Sequence, residues 1–304
     1  MKTEKLADKL GHVLTPMVTP FSNSGDVNYD EAEKLADYLI SRDYCDSIII
    51  AGTTGEFYAL SSKERIELFA VVKNAVNGRV PVVAGAGSAY AGEVVNLVKE
   101  AEKLNYEVAM VTAPFYCMPS QGGVYQFYKK VAESTSMQIL LYNIPLFAGV
   151  NIDPETVSRL AGIKNITGIK EESGINPTQI TDYALATPEE FTVYNGDDIM
   201  VLCSMVQGAA GVISGGSHLI GDKIKKMIDL FLSGQNQKAL KIHRLIYPLF
   251  KAFGQNGRIN PVPILRAAME IAGHRVGSAR LPLDTATQEE REIIKQHLIR
   301  LGVI

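Results

Sequence analysis

Gln138-Ile139-Leu140-Leu141-Tyr142-Asn143 reads as a β-strand whose apolar run does not alternate with polar residues. A strand with one wet face alternates; a continuous run such as Ile139-Leu140-Leu141 must be covered on both sides, as in a parallel sheet. Working outward, Ile48-Ile49-Ile50 has the same character. Candidate strands are Val13–Thr19, Ser47–Ala51, Val80–Ala84, Val108–Thr112, Gln138–Asn143, Ile166–Lys170, Phe191–Asn195 and Gly211–Ser214.

Between the strands lie stretches with helical spacing and start signals. Ser61-x-x-Glu64 is a capping box ahead of Ile66, Phe69, Val72 and Val76. Asp153-Pro154 and Asn176-Pro177 each set a capping side chain before a proline at the first helical position. Leu97, Ala101 and Leu104 form another apolar stripe. Strand–helix units repeated without a linker predict a (β/α)8 TIM barrel over residues 1–225. A doubly wound sheet needs fewer strands and a glycine-rich first turn, whereas the first strand here leads into Thr19-Pro20-Phe21-Ser22. Past Ile220 the pattern is helical only. Asp222–Leu232 completes the barrel, and Gln235–Phe253, Val262–Ala272 and Gln288–Leu301 form a C-terminal three-helix extension, residues 226–304, packed on it.

The chain has 304 residues, 46% of them hydrophobic, and a net charge of −3. Near-neutral charge without a basic run argues against nucleic acid or an anionic membrane as partner. No stretch approaches the ~18 consecutive apolar residues of a membrane span. Met1 to Lys9 mixes charges and lacks an apolar segment, so no secretory leader is expected. Cys45, Cys117 and Cys203 stand far apart with no histidine at ligand spacing. They read as reduced thiols of a cytoplasmic protein, not as a disulfide frame or a zinc site.

Barrels of this type build their active sites at the C-terminal ends of the strands. One such end is Ile166-Thr167-Gly168-Ile169-Lys170-Glu171-Glu172, which carries a lysine out of an apolar strand. Desolvation disfavours a charged ammonium, and a neutral amine attacks a ketone to form a Schiff base. A lysine leaning into solvent is the plain alternative. Strand two ends in Gly52-Thr53-Thr54-Gly55-Glu56, where backbone N–H groups could cradle a carboxylate or simply make a tight turn. Pro114-Phe115-Tyr116 and Tyr142-Asn143-Ile144-Pro145 add two tyrosines, either amphipathic filler or, with Thr53 and Lys170, a proton relay. Asn195-Gly196-Asp197-Asp198 is a weak metal signal, and Gly215-Gly216 suits close packing better than a phosphate. The five histidines are scattered, and no serine sits in a GxSxG elbow.

GTTGE at Gly52–Glu56, YNIP at Tyr142–Pro145, GIKE at Gly168–Glu171 and GVIS at Gly211–Ser214 resemble the dihydrodipicolinate synthase/N-acetylneuraminate lyase family. The similarity is collinear from about Gly11 to the C-terminus. It implies a Schiff-base aldolase needing no metal and no cofactor, acting on pyruvate and an aldehyde or on a 2-keto-3-deoxy acid. By resemblance Lys170 is the Schiff-base lysine and Tyr142 assists proton transfer. Thr53 is the relay threonine and, with Thr54, binds the pyruvate carboxylate. The Ile213 carbonyl orients the ketoacid, and Gly196 belongs to the substrate-binding set. Tyr116 matches a tyrosine that completes a neighbouring subunit's relay, which implies a homotetramer of two tight dimers.

The chain departs from the synthase pattern two residues past Pro145, where Phe147 replaces the arginine that binds the aldehyde partner's carboxylate. A phenyl ring offers no bidentate donors. The expected reaction is therefore a pyruvate-dependent condensation or cleavage other than that of aspartate semialdehyde, with 4-hydroxy-tetrahydrodipicolinate synthase as the alternative. A non-catalytic ketoacid-binding protein on the same scaffold is the competing class. Phe57, Ser62, Arg65, Ala89 and Phe115 mostly lack the polar ligands of the family's lysine-inhibition site, so no inhibition by lysine is expected.

Overall fold

The computed structural model describes residues 5–174 and 176–304. Its centre is a closed barrel of strands in sequence order. They are β1 (Val13–Pro16), β2 (Ser47–Ile50), β3 (Val82–Gly85), β4 (Val108–Thr112), β5 (Gln138–Asn143), β6 (Ile166–Glu171), β7 (Thr192–Asn195) and β8 (Val212–Ile213). Every neighbouring pair is parallel, and pairing of β1 with both β2 and β8 closes the ring.

The non-alternating runs have the predicted cause. Within β2, Ile49 points into the barrel with Leu14, Val83, Leu140 and Ile213, while Ile48 and Ile50 point outward against the helices. Both faces are buried, so a polar residue is tolerated there only with a hydrogen-bond partner, as Ser47 has. Helix Ser62–Val76 begins at a capping box of Ser61 and Glu64 and buries Phe69, Val72 and Val76. Each such side chain contributes about 1.5–3 kcal/mol through the apolar surface it removes from water. Three long helices, Asn236–Phe253, Val262–Ile271 and Gln288–Arg300, follow the last barrel helix, Ser217–Leu232.

Several expectations need correction. The first strand stops at Pro16, before Thr19. The third strand begins at Val82, beyond Pro81, and β6 runs one residue past Lys170 to Glu171. The helix expected at Asn176-Pro177 begins at Gln179, because Asn176 spends its side-chain oxygen on the N–H and hydroxyl of Thr178 in a local turn. Asp153 precedes the helix Pro154–Ala161 as expected, yet its side chain makes no cap bond. A short helix, Leu6–Leu10, was not foreseen; it plugs the N-terminal end of the barrel with Leu6 and Leu10. The bonds from Ser47 Oγ to the Leu10 carbonyl (2.6 Å) and from the Ala7 N–H to Thr192 (3.3 Å) fasten it there. The opposite end of the barrel stays open.

Candidate active site

Four inward positions share one level across adjacent strands: Thr112 pairs with Tyr142, Tyr142 with Lys170, and Lys170 with Tyr194. Parallel register therefore brings the phenol and the amine side by side. Lys170 Nζ lies 4.1 Å from the centre of the Tyr142 ring. It is not free of charge partners, since Glu172 Oε2 stands 2.7 Å away. The same oxygen accepts the Tyr142 hydroxyl proton at 2.7 Å. Lys170 is 4% exposed. Glu172, whose side chain is 28% exposed, faces the open end.

The alternation past Lys170 explains this triad. Glu171 points outward and is buried in a polar web, accepting from Asn143 Nδ2 (2.8 Å), Gln179 Nε2 (2.9 Å) and the Ser173 N–H (2.6 Å). Glu172, one residue on, returns to the inner side with Lys170. At the end of β7, a Cβ on Gly196 would come within 2.5 Å of Lys170 Cε and 2.7 Å of Glu172 Cβ. Glycine there is what lets the β7 loop pass the amine so closely.

A cavity of about 310 Å³ opens above the amine. Thr53, Thr54, Tyr142, Phe147, Lys170, Gly196 and Ile213 all line it, so the fold brings together every sequence-derived site residue except Tyr116. Tyr116 stands 94% exposed and holds a left-handed backbone (φ 71°). Phe147 sits on the short helix Pro145–Ala148 and also faces a second, aromatic cleft with Phe57, Tyr58 and Phe115.

The cavity wall carries Glu172, Asp197, Asp198 and Lys251 besides Lys170, and no arginine among the described residues. Burial lifts the Asp198 carboxyl to about 7, although the Ser214 hydroxyl and the Gly216 N–H (2.7 Å) pull it down. Burial likewise raises Asp197, against the donation of the Ile199 N–H. Tyr142 is held well above the ordinary phenol value by burial first and the Glu172 charge second, with a hydrogen bond from Thr53 pulling the other way. The described residues hold no cluster of three or more His, Cys, Asp or Glu side chains arranged for a metal ion.

The loop Gly52–Glu56 is anchored from far along the chain. Glu56 is fully buried beneath it and paired with Arg266 of the C-terminal extension. Arg266 also donates to the Thr19 carbonyl at 2.6 Å and the Val276 carbonyl at 2.7 Å. Two features of the site escaped the reading of the sequence. Glu172 was signalled only by its i, i+2 relation to Lys170, and the Glu56–Arg266 anchor had no local signal at all.

Comparison with known proteins gives the family. The model of the dihydrodipicolinate synthetase family matches residues 9–300. A 4-hydroxy-tetrahydrodipicolinate synthase of Synechococcus is 40% identical, covering 97% of this chain and 94% of the relative. The crystal structure of a dihydrodipicolinate synthase from Bacillus anthracis superposes with a TM-score of 0.90 at 37% identity, covering 95% of this chain and 98% of that one. That of Cyanidioschyzon merolae, with lysine bound, gives a TM-score of 0.93 at 37% identity, covering 97% and 99%.

Proposed function

The chain belongs to the dihydrodipicolinate synthetase family and is a carbon–carbon lyase of the class I, lysine Schiff-base type; on that premise we propose that Lys170 forms the Schiff base with pyruvate and joins it to an aldehyde. The observation that carries this reading is the buried amine of Lys170, 4% exposed at the floor of the open cavity beside Tyr142. Thr53 and Thr54 bind the pyruvate carboxylate, the Ile213 carbonyl and Gly196 border the ketoacid, and Tyr142 with Thr53 moves protons. The iminium then acts as the electron sink for making or breaking the adjacent carbon–carbon bond.

The relatives' names favour aspartate semialdehyde as the aldehyde, and hence the 4-hydroxy-tetrahydrodipicolinate synthase reaction. This reading has the stronger support. Phe147 favours a second one, in which the acceptor lacks a carboxylate, because the described cavity wall carries no guanidinium to bind one. Exposed Tyr116 supports an assembly in which it reaches a neighbouring subunit's site, as a homotetramer of tight dimers would allow. No helix among the described residues is long and apolar enough to cross a membrane.

Borohydride reduction in the presence of pyruvate tests the core of the proposal. The expected product is a stable adduct on the peptide containing Lys170. An unmodified protein would refute it. Turnover with aspartate semialdehyde against uncharged hydroxyaldehydes then decides between the acceptors.

A further inference from the structure

We propose that Glu172 is the general base of this site, taking and returning the protons of Lys170 and of the pyruvate methyl group. The inference rests on the Schiff-base reading above. Forming a carbon nucleophile from pyruvate requires a group that removes a methyl proton next to the iminium. The neighbouring hydroxyls can relay a proton but hold no negative charge to draw one from carbon. Tyr142 already donates its proton to Glu172 Oε2, and Thr53 is an uncharged alcohol. Of the other carboxylates on the wall, Asp197 accepts from the Ile199 N–H and Asp198 from the Gly216 N–H. Glu172 is the carboxylate whose oxygen stands 2.7 Å from the reacting nitrogen. It is also oriented, since the Tyr142 hydroxyl and the wall at Gly196 fix its side chain from two sides.

The proton inventory balances. The carboxylate takes one proton from the Lys170 ammonium, and the freed lone pair bonds to C2 of pyruvate. The proton is delivered to the ketone oxygen, the carbinolamine nitrogen releases a second proton through the carboxylate, and water leaves. The product is a protonated imine. Glu172 then accepts a methyl proton; the C–H electron pair becomes the C2–C3 double bond, and the imine π pair returns to nitrogen. When the enamine attacks an aldehyde, the proton held on Glu172 passes to the new alkoxide. Tyr142, bonded to the same oxygen, extends the reach of this exchange toward Thr53.

Because the second step needs no aldehyde, it can be measured alone. Pyruvate incubated with the enzyme in D2O loses its methyl signal in proton NMR as deuterium enters C3. E172Q is expected to form the borohydride-trapped adduct more slowly but to the same final extent, and to exchange about a hundredfold or more slowly. E172G is expected to be rescued by added formate, with the exchange rate rising with formate concentration. A merely structural counter-ion would be replaced equally well by chloride, which carries the charge but is too weak a base to take the proton. Exchange by E172Q within about threefold of the native rate, or E172G unmoved by formate, overturns the proposal, since general-base contributions are typically far larger. If the native enzyme itself forms no adduct, it is the Schiff-base reading that fails.

Discussion

Arg266 Nε donates to Glu56 Oε1 across 2.6 Å, although 210 residues separate the two in sequence. Both are buried, at 2% and 0% exposure. The C-terminal extension thus holds the loop that carries Thr53 and Thr54. Burial pushes the Glu56 carboxyl up while Arg266 pulls it down, and burial lowers the guanidinium in turn. Ion pairs of this kind contribute little net stability but cost heavily when one partner is lost.

Arg266→Ala is therefore expected to destabilise the fold by about 3–5 kcal/mol in urea titration. Arg266→Met combined with Glu56→Gln should cost clearly less than the sum of the two single changes, because no unpaired charge is then left buried. An additive pair would show that the two residues do not act together. Loss of the anchor should also raise KM for pyruvate more than it lowers kcat if the loop binds the carboxylate as proposed.

Asp198 gives a pH signature. Its carboxyl ionises near 3.8 when exposed but near 7 in the fold, where burial is the main cause. Between those values the folded chain binds more protons than the unfolded one, so raising the pH through this window destabilises the fold. Stability measured by urea midpoints should fall from about pH 4 to about pH 7. Asp198→Asn, which has no proton to lose, should flatten that slope. A slope unchanged by the substitution would assign it to other groups.

Much of this site was legible because strand ends are. Lys170, Tyr142, Thr53 and Ile213 each follow an apolar run, and parallel register brings such residues to one mouth whatever the loops do. What escaped depends on contacts between distant segments or on side-chain bonds that the apolar pattern does not signal. Leu6 and Leu10 form a helix because the barrel floor is there to receive them. The Asn176 turn won over the expected helix start through its own side-chain bonds to Thr178. Glu172 follows another glutamate in sequence, and only the inward return of the backbone separates its surroundings from those of Glu171.

Tyr116 makes the assembly testable. An exposed tyrosine with a strained backbone persists where surrounding structure holds it, and a second subunit would supply that. Tyr116→Phe is expected to lower kcat by about a hundredfold with the oligomer intact in sedimentation. Dilution below the dimer dissociation constant should lower specific activity in parallel with the loss of tight dimer. A fully active monomer would remove the crossing role.

Lysine is expected to leave the activity unchanged. Arg65 spends its guanidinium on the Gly85 (2.7 Å) and Gly87 (2.9 Å) carbonyls, and Ser62 donates to Glu93. Phe57 and Phe115 meet edge-on at 5.9 Å, which leaves aromatic rather than polar surface nearby. A saturable inhibition curve with added lysine would contradict this.

Phe147 makes the acceptor testable. It is 36% exposed at the cavity mouth, so a longer side chain there has room to turn toward a bound aldehyde. If the native acceptor lacks a carboxylate, Phe147→Arg adds a charge-assisted pair for aspartate semialdehyde worth about 1.5–3 kcal/mol, or roughly ten- to a hundredfold in kcat/KM. The same change should lower kcat/KM for an uncharged aldehyde, because an apolar contact is lost and a cation must be desolvated on closure. The exchange of pyruvate methyl protons should not move, since Lys170 and Glu172 are untouched. If instead the native enzyme already turns over aspartate semialdehyde efficiently, the arginine has nothing to add, and Lys251 becomes the cation to test, being the other positive charge on the described wall besides Lys170. Lys251→Met would then lower kcat/KM for aspartate semialdehyde by about tenfold or more while sparing uncharged aldehydes.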